Sequence, residues 1–234
     1  MIIQLFEDLI NNPINTLIYI GIFSFILLIT ITFHEFSHSF IANKLGDRTS
    51  KNLGRLTLNP TKHLDPMGTI MLFFVGFGWG KPVPVNPTNL SPNPKTGLGL
   101  VSLSGPASNI FIAFISTFPI RLGVVDISSV NLNYINSSFS IGQIIGITIF
   151  LNLLLATFNL LPIAPLDGFK IAIGILPRKL AYDFSKLEKY GPLILLSLVF
   201  IQFIIPKFSI LPMIIYPIMK ILLILIMIGS ENNT

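Results

Sequence analysis

Five residues in the first third of the chain, His34-Glu35-Phe36-Ser37-His38, carry two imidazoles and a carboxylate at the spacing H-E-x-x-H. On a helix, positions i and i+4 share one face, so the two imidazoles can bind the same zinc ion. Glu35 is turned by about 100° from His34 on that helix, close enough to reach a water on the zinc without being a ligand. The pattern therefore predicts a zinc site that can activate water.

The same residues lie in an apolar run, which strengthens this interpretation. Between Asp8 and Lys44, the histidines and Glu35 are the only charged or histidine side chains. The alternative is that they are ordinary polar residues of a helix bundle. In an apolar helix of this length each of them would need a polar partner, so a functional site is the better hypothesis.

The composition predicts an all-α polytopic membrane protein. The chain has 234 residues, of which 52% are hydrophobic and 11% charged, and its mean hydropathy is +0.78. Soluble domains carry about 25% charged residues. Cysteine is absent, so only His, Asp or Glu can bind a metal ion. The net charge of +5 comes from basic residues in loops between apolar runs, which argues against a nucleic-acid partner.

The order of apolar runs predicts about five to six transmembrane helices in one integral membrane domain, residues 1–234. A three-helix catalytic core occupies about residues 14–190, and a helical hairpin follows at about 191–229. A glycine-rich run of 13 residues is too short to span and is predicted to be re-entrant. The proline-rich segment after it is extended and suits a short β-strand. The runs are Ile14–Ala42, Leu100–Ile120, Ile141–Leu161, Leu193–Ile205 and Phe208–Ile228, with the re-entrant Met67–Trp79 and the extended Lys81–Pro87; a turn at Pro206-Lys207 is expected between the last two.

The basic residues predict the orientation. Twelve of the fifteen fall in three segments, 44–66, 80–98 and 167–190, which the re-entrant interpretation places on one face. By the positive-inside rule this face is cytoplasmic. His34 lies 20 residues after Ile14, roughly 30 Å along the helix, so the zinc motif is expected near that face.

Catalytic zinc usually takes three protein ligands, and topology selects the third. Asp167 is the one charge in a decapeptide, Asn159–Gly168, whose two prolines break the helix at membrane depth on the face of the histidines. The alternative for Asp167 is a helix N-cap, which is compatible with metal binding. His63 is the second candidate ligand, although an anchor for the loop entering the re-entrant element explains it better. Other acidic residues lie in solvated loops or on the opposite side: Asp47, Asp126, Asp183 and Glu188.

Together these residues resemble the site-2 protease family of intramembrane zinc metalloproteases, in its compact prokaryotic branch without PDZ or CBS domains. The resemblance covers about residues 15–190. It rests on the H-E-x-x-H motif, Gly105-Pro106-Ala107-Ser108-Asn109, Asn159-x-x-Pro162, Leu166-Asp167-Gly168, and the stretches Leu45–Asp47, Gly54–Pro60 and Lys81–Asn86.

The resemblance implies a zinc metalloendopeptidase with one zinc ion per chain, held by His34, His38 and Asp167. It implies Glu35 as the catalytic acid and base. It also implies a supporting role for Asn109 near the scissile bond, where its amide would help to stabilise the oxyanion. The expected partners are transmembrane protein substrates in the lipid bilayer, and the expected location is a prokaryotic inner membrane.

Two other function classes remain open at this point. A cation transporter or metal carrier would also explain ligands at a broken helix, but it does not explain the glutamate in the second position of the motif. A non-catalytic protein that binds membrane partners would be expected to lack a ligand or this glutamate, and all are present.

Overall fold

A computed structural model describes residues 7, 9–75, 78–126, 140–204 and 210–228, most of them in helices. Four described helices are long and apolar enough to cross a membrane, which confirms an all-α polytopic membrane protein. They are α1 (Pro13–Lys44), α4 (Pro94–Ser116, continued by the short α5, Phe118–Arg121), α6 (Ile141–Asn159) and α10 (Ile210–Met227).

Shorter helices connect them and build the site. They are α2 (Thr49–Asn52), α3 (Pro66–Val75), α7 (Asp167–Ile175), α8 (Arg178–Ser185) and α9 (Gly191–Ile204), with 3-10 turns at Pro60–Lys62, Pro87–Asn89 and Glu188–Tyr190. The helix α9 corresponds to the short apolar run predicted near residue 200. Its 14 described residues measure about 21 Å, less than the roughly 30 Å of a hydrocarbon core. The turn predicted at Pro206-Lys207 lies outside the described residues.

The predicted re-entrant element is α3 together with the chain that returns from it. Leu64, just before this helix, forms an antiparallel bridge with Gly80, which follows it. The Lys81 amide also donates to the carbonyl of His63 over 2.8 Å. The element therefore begins and ends at one place, as a segment does that dips into the membrane and returns.

The segment that follows, residues 81–86, has no regular secondary structure and is not part of a sheet. Three of its residues precede proline, which favours an extended backbone. The predicted short β-strands are reduced to the Leu64–Gly80 bridge in the part of the chain that the structure describes. Prolines at 82, 84 and 87 lack amide hydrogens, which explains why no regular ladder forms here.

The helix α6 lies at the centre of the bundle. In its most apolar stretch 56% of the residues are buried, against 17% in α10. Ile147 and Leu153 are each 1% exposed, and Ala156 is completely buried. Asn152 is buried among them and donates to Thr30 Oγ1 of α1 over 3.1 Å. The apolar contacts and this hydrogen bond together fix α6 against α1.

Candidate metal centre

Three side chains from two separate elements converge on one point. His34 and His38 belong to successive turns of α1, and Asp167 is the first residue of α7. The Oδ2 atom of Asp167 lies 3.1 Å from the Nε2 atom of each histidine, and the two Nε2 atoms are 3.0 Å apart. Among the described residues these three form a group whose ligand atoms could hold a metal ion.

The hydrogen bonds of the two histidines show that this group suits a cation. His34 donates its Nδ1 hydrogen to Asn109 Oδ1 over 2.6 Å, and His38 donates its own to the Val101 carbonyl over 2.7 Å. A neutral imidazole carries one N–H group, so both Nε2 atoms present lone pairs. With Asp167 Oδ2 they make three acceptors that face each other, which is unfavourable in a buried site unless a cation lies between them.

The type and spacing of the ligand atoms fit zinc. Two imidazole nitrogens and a carboxylate oxygen are a ligand set of catalytic zinc sites. Ligands at about 2.0–2.1 Å from a tetrahedral ion lie roughly 3.3 Å from each other, close to the separations of 3.0–3.1 Å seen here.

Glycines allow two close contacts around the ligands. One leaves space for the imidazole rings, and the other brings α7 close to α4. A Cβ atom on Gly105 of α4 would lie 2.4 Å from His38 Nε2 and 2.6 Å from His34 Cε1, so only glycine leaves space for both rings. Farther along, Gly99 of α4 meets Gly174 of α7 backbone to backbone; a Cβ on Gly174 would lie 2.9 Å from the Gly99 Cα. This second contact brings α7, and with it Asp167, close to α4.

Asp167 reaches the histidines because the chain breaks after α6. Residues 160–166 form turns between α6 and α7, and α7 then begins at Asp167 itself. The N-cap position belongs to Leu166, so the alternative in which Asp167 caps the helix through its side chain is not realised. Its carboxylate lies in the first turn, where the helix dipole favours a negative charge.

Glu35 lies on a cavity of about 400 Å³ beside the three ligands. The two histidines and Asp167 line the same cavity, as do Asn159 and Lys170. Glu35 is half-buried and interacts electrostatically with His38 and Arg55. Its Oε1 atom would be 3.6 Å from a Cβ atom placed on Gly80. A carboxylate beside a metal-binding group is suited to accept a proton.

Asn109 contacts the metal-binding group from behind the His34 ring and is completely buried. Its Nδ2 group donates to the Thr30 carbonyl over 3.3 Å and to Asn152 Oδ1 over 3.0 Å, which turns Oδ1 toward His34. This placement favours a role in orienting the ring. The oxyanion role implied by the resemblance remains a prediction.

The other candidate residues lie outside the metal-binding group. His63 is completely buried, with its Nε2 atom 2.7 Å from the Thr57 carbonyl, and its own carbonyl accepts from Lys81, as expected of a loop anchor. Asp47 accepts four hydrogen bonds, two from Thr49 and one each from Asn86 and Asn89, away from the metal-binding group. Asp183 pairs with Lys186 at the surface.

The supporting residues Thr30, Val101 and Asn152 were missed by sequence reasoning. Val101 acts through its backbone carbonyl, so its side chain gives no signal. Asn152 does give one, because an amide within the apolar run of α6 needs a partner at membrane depth. Its position in sequence does not, however, say which histidine or asparagine it lies beside.

Comparison with known proteins identifies the family. Residues 121–199, which include Asp167, match Peptidase family M50. The chain is 42% identical over 174 residues to "Putative zinc metalloprotease YwhC" of Bacillus subtilis, covering 74% of this chain and 77% of that protein. It is 32% identical over 170 residues to "Putative zinc metalloprotease Rip2" of Mycobacterium tuberculosis, covering 69% of this chain and 61% of the relative. No solved structure is significantly similar to it.

The relationship to YwhC is close enough, and covers enough of both chains, to decide the family. The family carries zinc as its cofactor, in agreement with the two histidines and the aspartate brought together here. The chain is an integral membrane protein and belongs to Peptidase family M50, the site-2 protease family of zinc metalloproteases.

Proposed function

We propose that this metalloprotease hydrolyses peptide bonds within or near the transmembrane segments of other membrane proteins. The observation that carries the proposal is the convergence of His34, His38 and Asp167 beside Glu35, on a cavity within the helix bundle. A site built on a spanning helix is accessible to a substrate that is itself in the membrane.

In this proposal His34, His38 and Asp167 hold one zinc ion. When bound there, zinc polarises the carbonyl of the scissile bond and makes water acidic enough to lose a proton near neutral pH. Glu35 takes that proton and delivers it to the amide nitrogen of the leaving group, acting first as base and then as acid. Asn109 and the Val101 carbonyl hold the two imidazole rings with Nε2 toward the ion.

The extended segment beside the cavity is the proposed binding edge for substrate. A substrate helix uses its own amides and carbonyls internally, so it must unwind before its peptide bond can be attacked. Val83 and Val85 line the cavity, and neither of their amides has a hydrogen-bond partner in the described residues. Such amides can pair with an unwound substrate by β-strand addition.

The orientation proposed is that of the positive-inside rule, with the site toward the cytoplasmic face of a prokaryotic inner membrane. Among the described basic residues, Lys44 ends α1 six residues after His38, and Lys170 lies on α7 three residues after Asp167. The site and the basic loops therefore lie at the same end of the bundle, and the cytoplasmic assignment follows from their charge.

The test is turnover of a panel of single-span membrane substrates by purified wild type and Glu35→Gln. An amide cannot accept the proton, so we expect Glu35→Gln to bind zinc normally and to lose at least about a hundredfold in turnover. Glu188→Gln makes the same change at an exposed position and should behave as wild type. Near-normal turnover by Glu35→Gln would reject the assigned role, and zinc binding without any cleavage by wild type would favour a metal carrier.

A further inference from the structure

The extended segment beside the cavity is held at its first end by one buried cation. Arg55 is 6% exposed, and its guanidinium donates to two successive carbonyls of the segment, those of Lys81 and Pro82. The bond to Pro82 measures 3.2 Å. A guanidinium has its donors in a rigid planar fork, so it can hold two neighbouring carbonyls in one orientation.

A buried anion holds the other end. Asp47 is completely buried, and its Oδ2 atom accepts the amide of Asn86 over 2.7 Å. Its Oδ1 atom accepts from the Asn89 side chain and from Thr49. Burial alone would raise the pKa of Asp47, but these hydrogen bonds outweigh it and lower the pKa below its ordinary value. The carboxylate is therefore charged at neutral pH.

Two turns with the same hydrogen-bond pattern precede the two anchors. Gly46 and Gly54 follow the ends of α1 and α2 and adopt positive φ angles of 106° and 69°. In each turn the next amide, that of Asp47 or Arg55, bonds to a carbonyl five residues earlier over 2.9 Å. This is the Schellman arrangement that ends a helix and reverses the chain. Each anchor is thus the first residue after such a reversal.

Between the anchors lies the part of the segment that faces the cavity. Val83 and Val85 are two residues apart, so on an extended chain their side chains face the same side, and both line the cavity. Pro82 is the last residue whose carbonyl accepts from Arg55, and Asn86 is the next residue whose amide donates a hydrogen bond, to Asp47. The stretch is therefore hydrogen-bonded at both ends, while the amides of Val83 and Val85 have no partner among the described residues.

We propose that Asp47 and Arg55 are positioning residues for substrate, which hold residues 81–86 extended so that the backbone of Val83 and Val85 can pair with an unwound peptide. This inference rests on the proposed proteolytic function. Neither anchor lines the cavity or hydrogen-bonds to the three metal ligands, so we expect both to act on how well substrate binds and not on the zinc ion. Arg55 also interacts electrostatically with Glu35, and Asp47 therefore gives the cleaner test.

The experiment uses the absence of cysteine in the chain. Val85→Cys is introduced into the full-length Glu35→Gln protein, which holds substrate without cutting it, and disulfide formation with a single-cysteine transmembrane substrate is measured. Arg55→Met and Asp47→Asn are then added separately. We expect each to lower the cross-linking yield at least about fivefold with zinc content unchanged, since each removes hydrogen bonds to a charged group.

In the catalytically competent chain, both substitutions should raise KM about tenfold or more. Asp47→Asn should change kcat little, whereas Arg55→Met also removes a charge that interacts with Glu35, so its effect is read from KM and cross-linking. Arg55→Lys can donate to one carbonyl in the same place and should restore part of the loss. Arg48→Met and Asp183→Asn make the matched changes at exposed positions and should leave cross-linking and KM as in the parent.

Two outcomes would overturn the inference. Undiminished cross-linking and KM in both anchor variants would show that the segment needs no anchors to receive substrate. Loss of zinc together with cross-linking would show that the anchors support the metal site instead. Failure of the proposed function is seen separately, in the parent chain: if that chain cleaves no membrane substrate at all, the proteolytic function is rejected whatever the anchor variants do.

Discussion

Replacing Asn109 by leucine should weaken zinc binding from outside the metal-binding group. The substitution keeps approximately the volume of the side chain but removes the acceptor of the His34 Nδ1 hydrogen, a bond of 2.6 Å in a completely buried position. Without that acceptor the His34 ring is free to rotate or to place its hydrogen on Nε2, where it blocks the metal.

The magnitude follows from the strength of this one bond. Hydrogen bonds to charged or strongly polarised groups contribute about 1.5–3 kcal/mol, and loss of the outer partner of a metal-binding histidine typically costs about 10–100-fold in affinity. We therefore expect the Kd for zinc to rise by about 10–100-fold in Asn109→Leu, equivalent to about 1.4–2.7 kcal/mol.

The assay is competition for zinc between the purified protein in detergent and a chelating dye. Asn109→Asp keeps an acceptor for His34 and should retain zinc within about threefold of wild type. Asn152→Leu removes one of the two hydrogen bonds that orient the Asn109 amide but leaves the acceptor of His34 in place, so it should raise the zinc Kd less than Asn109→Leu does.

Equal zinc affinity in Asn109→Leu and Asn152→Leu would refute the reasoning. The Asn109→Asp variant also tests the oxyanion role that the resemblance implies, because it removes the N–H donor while keeping the acceptor. Loss of kcat in that variant at saturating zinc would support the oxyanion role, whereas normal kcat would leave Asn109 with the orienting role alone.

Three further substitutions test the metal ligand, the substrate edge and the space for the rings. Asp167→Ala should lose most of its zinc by elemental analysis while Asp183→Ala keeps it, and equal retention would reject the third ligand. Val83→Pro removes one amide donor and should lower turnover of a helical substrate about fivefold or more, whereas Val83→Thr should be mild. If the two valine variants turn over substrate equally well, this edge does not present it. Gly105→Ala would place a Cβ 2.4 Å from an imidazole nitrogen, so zinc affinity should fall, in contrast to Gly21→Ala, which has nothing within 4 Å. Unchanged zinc affinity would show that the rings can shift at no cost.

The elements of this site were accessible from sequence to different degrees. A helix with histidines at i and i+4 has one geometry, so the pairing of His34 with His38 follows from their spacing alone. Asp167 could be selected because a charge between helix-breaking prolines at membrane depth leaves few alternatives. The 14 described residues of α9, and the single β-bridge in place of strands among the described residues, could not be foreseen, because they depend on which backbone groups find partners after the bundle has formed.

The anchors were the hardest to foresee. Asp47 was interpreted as a solvated loop residue because basic residues surround it in sequence. In the structure Gly46 reverses the chain and the carboxylate becomes completely buried against Asn86, 39 residues away. Charge patterns predict solvent exposure only where the backbone leaves the side chain free, and a helix-terminating turn can override them.

The contact between Gly99 and Gly174 has a consequence for how the metal is acquired. Since no side chain separates α4 from α7 there, the spacing of the two helices is set by backbone atoms that have nowhere to move. The packing of α4 against α7 thus places the Asp167 carboxylate beside the histidines before a metal ion binds. The metal site is accordingly preorganised. After removal of zinc by a chelator, the protein should bind zinc again without refolding. It should also bind cobalt, whose spectrum would report on the same three ligands.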